Sequence, residues 1–288
     1  MWNKVFWISV VMSLMTSVQA SEIVKIVWPF APSPAYTNLL RTIENSNKNQ
    51  DKYVFVTEIK QGAGGSIAAN YALQHNYLVA SSVSFILRPL TEPNAHDISS
   101  FTPVHIQATN VPLVMVSKKY QTMSELNAAS KPTVGISARG GITEFIANAA
   151  TNSKAEIIGF KNFNEAIPLT IGGHVDASVT TLGEVKTQLD AGNLYLLGST
   201  GTHSPKSFKS QKITGLDRLV SNYVIYAPAT MDKNQLIELN EILGKASDDP
   251  YVKQPFELEN PIFVRYNINK LQEWYTNEIS FWKTFLKK

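Results

Sequence analysis

Residues 60–70, KQGAGGSIAAN, place Gly62, Gly64 and Gly65 within four positions, between a β-branched run and a helix-like run. Glycine lets backbone N–H groups turn towards a ligand, and the start of a helix favours negative charge. The chemistry on offer is anion recognition. A dinucleotide fingerprint needs Gly or Ala where Ile67 stands, and the Gly-Lys-Ser/Thr of a Walker loop does not follow. A cradle for a carboxylate therefore stands beside the plainer alternative of a tight turn that holds nothing.

A second loop, Trp28-Pro29-Phe30-Ala31-Pro32-Ser33-Pro34-Ala35-Tyr36-Thr37-Asn38, follows the first strand-like run. Strands of one parallel sheet present their C-terminal loops on the same edge, so both loops should face one cleft. Catalytic groupings are sparse. Gly135-Ile136-Ser137-Ala138-Arg139 lacks the closing glycine of a nucleophile elbow. His75, His96, His105, His174 and His203 are too widely spaced for a local metal motif. The absence of cysteine removes thiolate catalysis, zinc ribbons and disulfides together. The expectation is a protein that is not an enzyme and takes no cofactor and no metal.

The elements that position these loops are legible from periodicity. Residues 1–20 carry Lys4, an apolar run and a Val18-Gln19-Ala20 ending, the pattern of a secretory signal cleaved after Ala20. The apolar run is shorter than the roughly 20 residues a membrane span needs. The formal charge of +3, lower by one without Lys4, is too weak to imply a nucleic-acid partner. Beyond the signal, IVKIVW (23–28), YVFVTEI (53–59) and YLVAS (77–81) read as buried strands separated by amphipathic stretches, a βαβαβ pattern. PLVMVSK (112–118) opens a second α/β unit that runs to LYLLGST (194–200), with Gly172-Gly173 and Gly192 where helix C-caps are expected. NYVIYAPA (222–229) gives a further strand, and Asp232 caps the helix after it. The tail from 268 carries a stripe of Leu271, Trp274, Tyr275, Ile279, Trp282 and Leu286, read as a core-facing surface. Residues 21–113 and 225–288 are expected to form one lobe and residues 114–224 the other, with a ligand site in the cleft between them.

Several short segments occur in a telling order. They are Pro29-Phe30-Ala31-Pro32, Gly62-Ala63-Gly64-Gly65-Ser66-Ile67, Phe101-Thr102-Pro103-Val104, Gly172-Gly173-His174-Val175-Asp176, Asp190-Ala191-Gly192-Asn193-Leu194 and Tyr226-Ala227-Pro228-Ala229. In these the chain resembles the substrate-binding proteins of the tripartite tricarboxylate transporter family, the Bug-type periplasmic receptors. The resemblance implies a two-lobed α/β periplasmic-binding-protein (type II, Venus-flytrap) fold, each lobe a mostly parallel sheet flanked by helices. It also implies a monomer in the periplasm that closes on a small organic solute, commonly a carboxylate, and delivers it to membrane permease subunits. The ligand contacts it implies are Pro32, Ser33, Ala35, Tyr36 and Asn38 in the first loop, and Ala63, Gly64 and Ser66 in the second. Ser81 and Ser82 follow the third strand, and Arg139, Gly140, Thr143, Phe163 and Thr180 come from the second lobe.

The departures from the family pattern bear on the ligand. Asn38 and Thr180 stand where the family has acids, which should weaken any ammonium site, and Glu144 stands in place of a histidine. Arg139 offers a bidentate hydrogen bond to a ligand carboxylate, or alternatively a local ion pair with Glu144. Tyr36 and Phe163 would flank an aromatic acid, or pack within their loops. Transport is one expectation. A receptor-like protein that has lost transport and signals occupancy to a sensor partner is the other, and an exported hydrolase is a distant third.

Overall fold

The computed structural model describes residues 21–30, 34–46, 52–202 and 212–287. The signal-like segment, Pro32 and Ser33 lie outside them. A first set of elements comprises β1 (Glu22–Trp28), α1 (Pro34–Ser46), β2 (Tyr53–Ile59), α2 (Ser66–His75), β3 (Leu78–Ser81), α3 (Ser84–Thr91) and β4 (Phe101–Val111). A second comprises β5 (Leu113–Ser117), α4 (Met123–Ala128), β6 (Thr133–Ile136), α5 (Ile142–Ala150), β7 (Glu156–Gly159), α6 (Phe163–Ile171), β8 (Ala177–Thr181), α7 (Leu182–Asp190) and β9 (Tyr195–Ser199). The chain then returns through β10 (Ser221–Pro228) to α8 (Lys233–Ser247), α9 (Pro250–Lys253) and α10 (Ile268–Phe285).

The strands form two sheets, ordered β2-β1-β3-β10-β4 and β7-β6-β8-β5-β9. β1 pairs parallel with β2 and β3, whereas β10 runs antiparallel to β3 and β4. β6 likewise pairs parallel with β7 and β8, whereas β5 runs antiparallel to β8 and β9. Each sheet is therefore mixed, with one reversed strand. That strand is the one by which the chain enters the second sheet or re-enters the first.

Alternation along the strands sorts side chains between two layers. In β3, Val79 faces one core, while Leu78 and Ala80 face the other. The first core also holds Ala68 and Ala72 of α2, Phe85 of α3, Ile142 and Ile146 of α5, and Leu271 and Trp282 of α10, so it runs unbroken across both sheets. On the opposite side, Leu40 and Leu239 fix α1 and α8 to the first sheet, and Ile167 and Val185 fix α6 and α7 to the second. The stripe on α10 faces the core as the sequence suggests. Phe285 also meets Phe145 of α5 edge to face at 5.8 Å, and Arg218 pairs with Glu278 at 3.0 Å.

Two prolines conceal elements that the sequence reading does not include. Pro103 lies inside β4, an edge strand with a single named neighbour, where a missing donor is tolerated. Pro89 lies inside α3 and leaves the Phe85 carbonyl, four residues back, without its helical donor. The Nε2–H of His96 supplies that bond at 3.0 Å.

His105 of β4 is buried against α8, with Nε2 at 2.7 Å from the Ser247 hydroxyl, and burial and the nearby Arg265 push its pKa down to about 4. Its unfolded pKa is near 6.5. Below that value the unfolded chain binds the extra proton first, so the contribution of neutral His105 is present above about pH 6.5 and is lost as pH falls towards 4. Relative to His105→Gln, the wild type should lose stability between pH 7 and 5 in urea titrations. Trp282, fully buried, should cost about 3–5 kcal/mol when replaced by alanine, read as a lower urea midpoint.

Candidate functional site

The facing edges of the two sheets enclose a cavity of about 650 Å³. Trp28, Pro29 and Phe30 reach it from the end of β1, residues 61–65 from the end of β2, and Ser82 and Ser84 from the end of β3. Ser137 follows β6, Phe160 and Phe163 flank the start of α6, and Thr181 ends β8. Leu113, Ser221 and Tyr223 line it where the chain crosses between sheets.

The helix starts at this cavity differ from those elsewhere. α4, α8, α9 and α10 begin away from it and are capped by the side chains of Thr122, Asp232, Asp249 and Asn267. α2, α3, α5 and α7 begin at its wall without a side-chain bond from their own N-cap residues, and only α6 has one, from Asn162. At α3 the Ser82 hydroxyl accepts from the Ser84 N–H at 3.4 Å and at α7 Glu259 accepts from the Gly183 N–H, so the starts left with N–H groups and a partial positive charge facing outward are those of α2 and α5. Before α2, Gly62, Ala63, Gly64 and Gly65 all take positive φ, at 123°, 46°, 59° and 101°.

Arg88, which the sequence reading does not single out, projects from α3 into the same wall. Its Nη1–H donates to the Arg139 carbonyl at 2.6 Å, while its buried Nε has no partner among the described residues. Thr91, one turn on, donates from Oγ1 to the Gly140 carbonyl at 3.0 Å. Together they tie α3 to the loop after β6, across one rim of the cleft. Gly64 makes this possible, because a Cβ there would collide with the Arg88 guanidinium.

Of the residues expected at the ligand, Ala63, Gly64, Ser82, Thr143 and Phe163 line this cavity. Six others do not. Ser66 is buried, accepts from the His96 N–H and faces His96 Nδ1, both at 3.3 Å. Because Nε2–H already donates to Phe85, Nδ1 accepts here and the Ser66 hydroxyl donates to it. Ser81 ends β3 inside the sheet, and alternation along β8 turns Thr180 away from the core that holds Ala177 and Val179. α1 begins at Pro34, which leaves Asn38 on the helix, where it accepts from Tyr251 Oη at 3.3 Å. Arg139 is half-exposed, pairs with Glu144 at 2.9 Å and donates to the Ile157 carbonyl. Gly140 donates its N–H to Glu144 at 2.7 Å. Ala35 and Tyr36 belong to α1, but their side chains, like Pro32 and Ser33, lie outside the description.

Two acids also reach the cavity unannounced by any motif: Glu184 in the first turn of α7, and Glu259 after α9. Glu259 is 3% exposed, and its Oε1 accepts from the Gly183 N–H at 3.2 Å. Burial nevertheless pushes its carboxyl up to about 7, and burial raises Glu184 as well. Among the described residues no group of His, Cys, Asp or Glu is placed to hold a metal, and no helix is long and apolar enough to cross a membrane.

No protein-family model matches the sequence, and no curated protein matches it. Solved structures do. The periplasmic binding protein BugD superposes with a TM-score of 0.78 at 16% identity, covering 92% of this chain and 96% of that one. The fold is that of a periplasmic binding protein. An R. palustris protein, Rpa4515 with adipate, gives 0.77 at 19% identity over 92% of this chain and 96% of its own. MatC from Rhodopseudomonas palustris with bound malate gives 0.76 at 18% identity over 91% and 98%. In this periplasmic-binding-protein fold the cavity lies between the lobes, walled by the loops at the strand ends.

Gly64→Ala should lower stability by about 1–2 kcal/mol, from its left-handed backbone, and should further displace Arg88. In an Arg88→Ala background the penalty should shrink towards the backbone part alone, a non-additivity that a double-mutant cycle of urea unfolding measures.

Proposed function

We propose that this chain is a solute-binding receptor of the Bug type, exported to the periplasm, where as a monomer it captures a small organic acid between its lobes and hands it to membrane permease subunits. The observation that carries this reading is the convergence on one cavity of the uncapped starts of α2 and α5 with the guanidinium of Arg88. Such groups favour a carboxylate in a site partly shielded from water. The malate and adipate in the two similar structures support the same ligand class. Arg88 then takes the anchoring role that the sequence reading offered to Arg139.

A thermal-shift screen of the mature chain against C4 to C6 mono- and dicarboxylates tests the proposal. A true ligand at a hundredfold excess over Kd should stabilise the protein by about 2.7 kcal/mol. Arg88→Met should then weaken binding ten- to a hundredfold, because a hydrogen bond to a charged group contributes about 1.5–3 kcal/mol. Unchanged affinity in Arg88→Met would remove the anchor, and a screen in which no acid shifts the transition would remove the carboxylate reading.

A further inference from the structure

The carboxylate reading leaves the far side of the same cavity unexplained, and the inference drawn from that side rests on it. Arg88 and the starts of α2, α3 and α5 lie with the core that α10 covers. Glu184 and Glu259 lie on the other side of the sheets, with α7 and the segment after α9, against the cores of α1, α8, α6 and α7. The cavity therefore has two electrically opposite ends. Trp28, Phe30, Phe160, Phe163 and Leu113 share its wall and make much of the lining apolar.

Among the described residues no ion pair is formed by Glu184 or Glu259, although Lys161 and Lys186 also line the cavity. Lys186 is committed to Asp190, and Lys161 is exposed to solvent. Tyr223 is buried, and burial keeps its phenol neutral. The Gly183 N–H offsets part of the charge on Glu259, but no bond of that kind reaches the Glu184 carboxylate among the described residues. Two acids facing a partly dry space without a cation are unfavourable, and a bound cation relieves both the desolvation and their mutual repulsion. A second ligand carboxylate at this end would add a third negative charge to the pair.

We infer that the ligand is a zwitterion, with a carboxylate held at the Arg88 end and a protonated nitrogen, carried on an apolar or aromatic spacer, held by Glu184 and Glu259.

Matched triads of one skeleton isolate the nitrogen. 4-(Aminomethyl)benzoate, terephthalate and 4-methylbenzoate form one, and 6-aminohexanoate, adipate and hexanoate form the other, titrated calorimetrically into the mature full chain at pH 8. In at least one triad the amino compound should bind tenfold or more tighter than its two analogues. Its affinity should fall as pH is lowered from 8 to 6, because Glu259, whose pKa lies near 7, takes up a proton. The other ionisable side chains on the wall are Glu184, Arg88, Lys161, Lys186 and Tyr223, and burial keeps the Tyr223 phenol neutral over that interval. Glu184→Gln should reduce the amino compound's lead over the methyl analogue at least fivefold. It is preferred to Glu259→Gln, which also removes the acceptor of the Gly183 N–H. A diacid that binds as tightly as the amino compound in both triads, or an affinity that rises on acidification, would overturn the inference and leave the carboxylate receptor standing. If neither triad binds while another acid of the thermal-shift screen does, this inference falls and the receptor reading stands; if no acid binds in either experiment, both fall.

Discussion

One residue, Pro112, separates β4 from β5, and that short connection governs how the two sheets meet. It brings the C-terminal end of β4 against the start of β5. Because β10 starts at the same edge of its sheet as β4 ends, the return crossing lies beside the outward one. Side chains brace the pair: Asn222 Oδ1 accepts from Thr109 Oγ1 at 2.6 Å and from the Asn110 N–H at 3.1 Å, and Thr200 Oγ1 accepts from the Leu113 N–H at 2.9 Å. Proline has no N–H to leave unsatisfied at this crossing. With the edges held opposed, the loops after β1, β2, β3, β6, β7 and β8 converge on one space, and the cavity follows from topology rather than from any one loop.

Within that space desolvation and local donors compete, and the outcome differs at the two ends. At Glu259 the nearby backbone donors favour the ionised form, yet burial prevails and the carboxyl is pushed up to about 7. At the other end the charge is a guanidinium, which stays ionised in any protein environment. Its cost is reduced by the Arg139 carbonyl at 2.6 Å and, less closely, by an ion pair with Glu92 at 3.9 Å. The positive end thus keeps its charge, while at the negative end burial raises both acids and leaves Glu259 poised near pH 7. A ligand that presents complementary charge to both gains at one end by completing a hydrogen bond and at the other by shifting a proton equilibrium.

Much of the framework was legible in the sequence because it is local. The β-branched runs became β1, β2 and β3, Asp232 caps α8, and Gly173 and Gly192 take the left-handed conformation after their helices. The glycines at 62–65 do turn their backbone at a helix start facing the cleft. Legibility failed where partners are distant or where proline mimics a break. Pro89 and Pro103 concealed α3 and β4, and with α3 went Arg88. Glu259 stands 76 residues from the Gly183 N–H it accepts, a separation that no spacing rule spans. Arg139 drew notice as the arginine beside a loop, but Glu144, five residues on, competes for it at short range.

The glycine-rich turn acquires a second purpose from this arrangement. Freedom of φ exposes N–H groups at the start of α2, as anion recognition requires, but the missing Cβ of Gly64 also makes room for Arg88 to cross the cleft and reach the opposite lobe. The guanidinium therefore serves twice: Nη1 holds the Arg139 carbonyl, while Nε is buried against Gly64 with no partner among the described residues. A carboxylate bound at this guanidinium would order the same planar group that bridges the lobes. Fixing that group for one bond lowers the entropic cost of the other, so ligand capture and contact between the lobes reinforce each other through a single side chain.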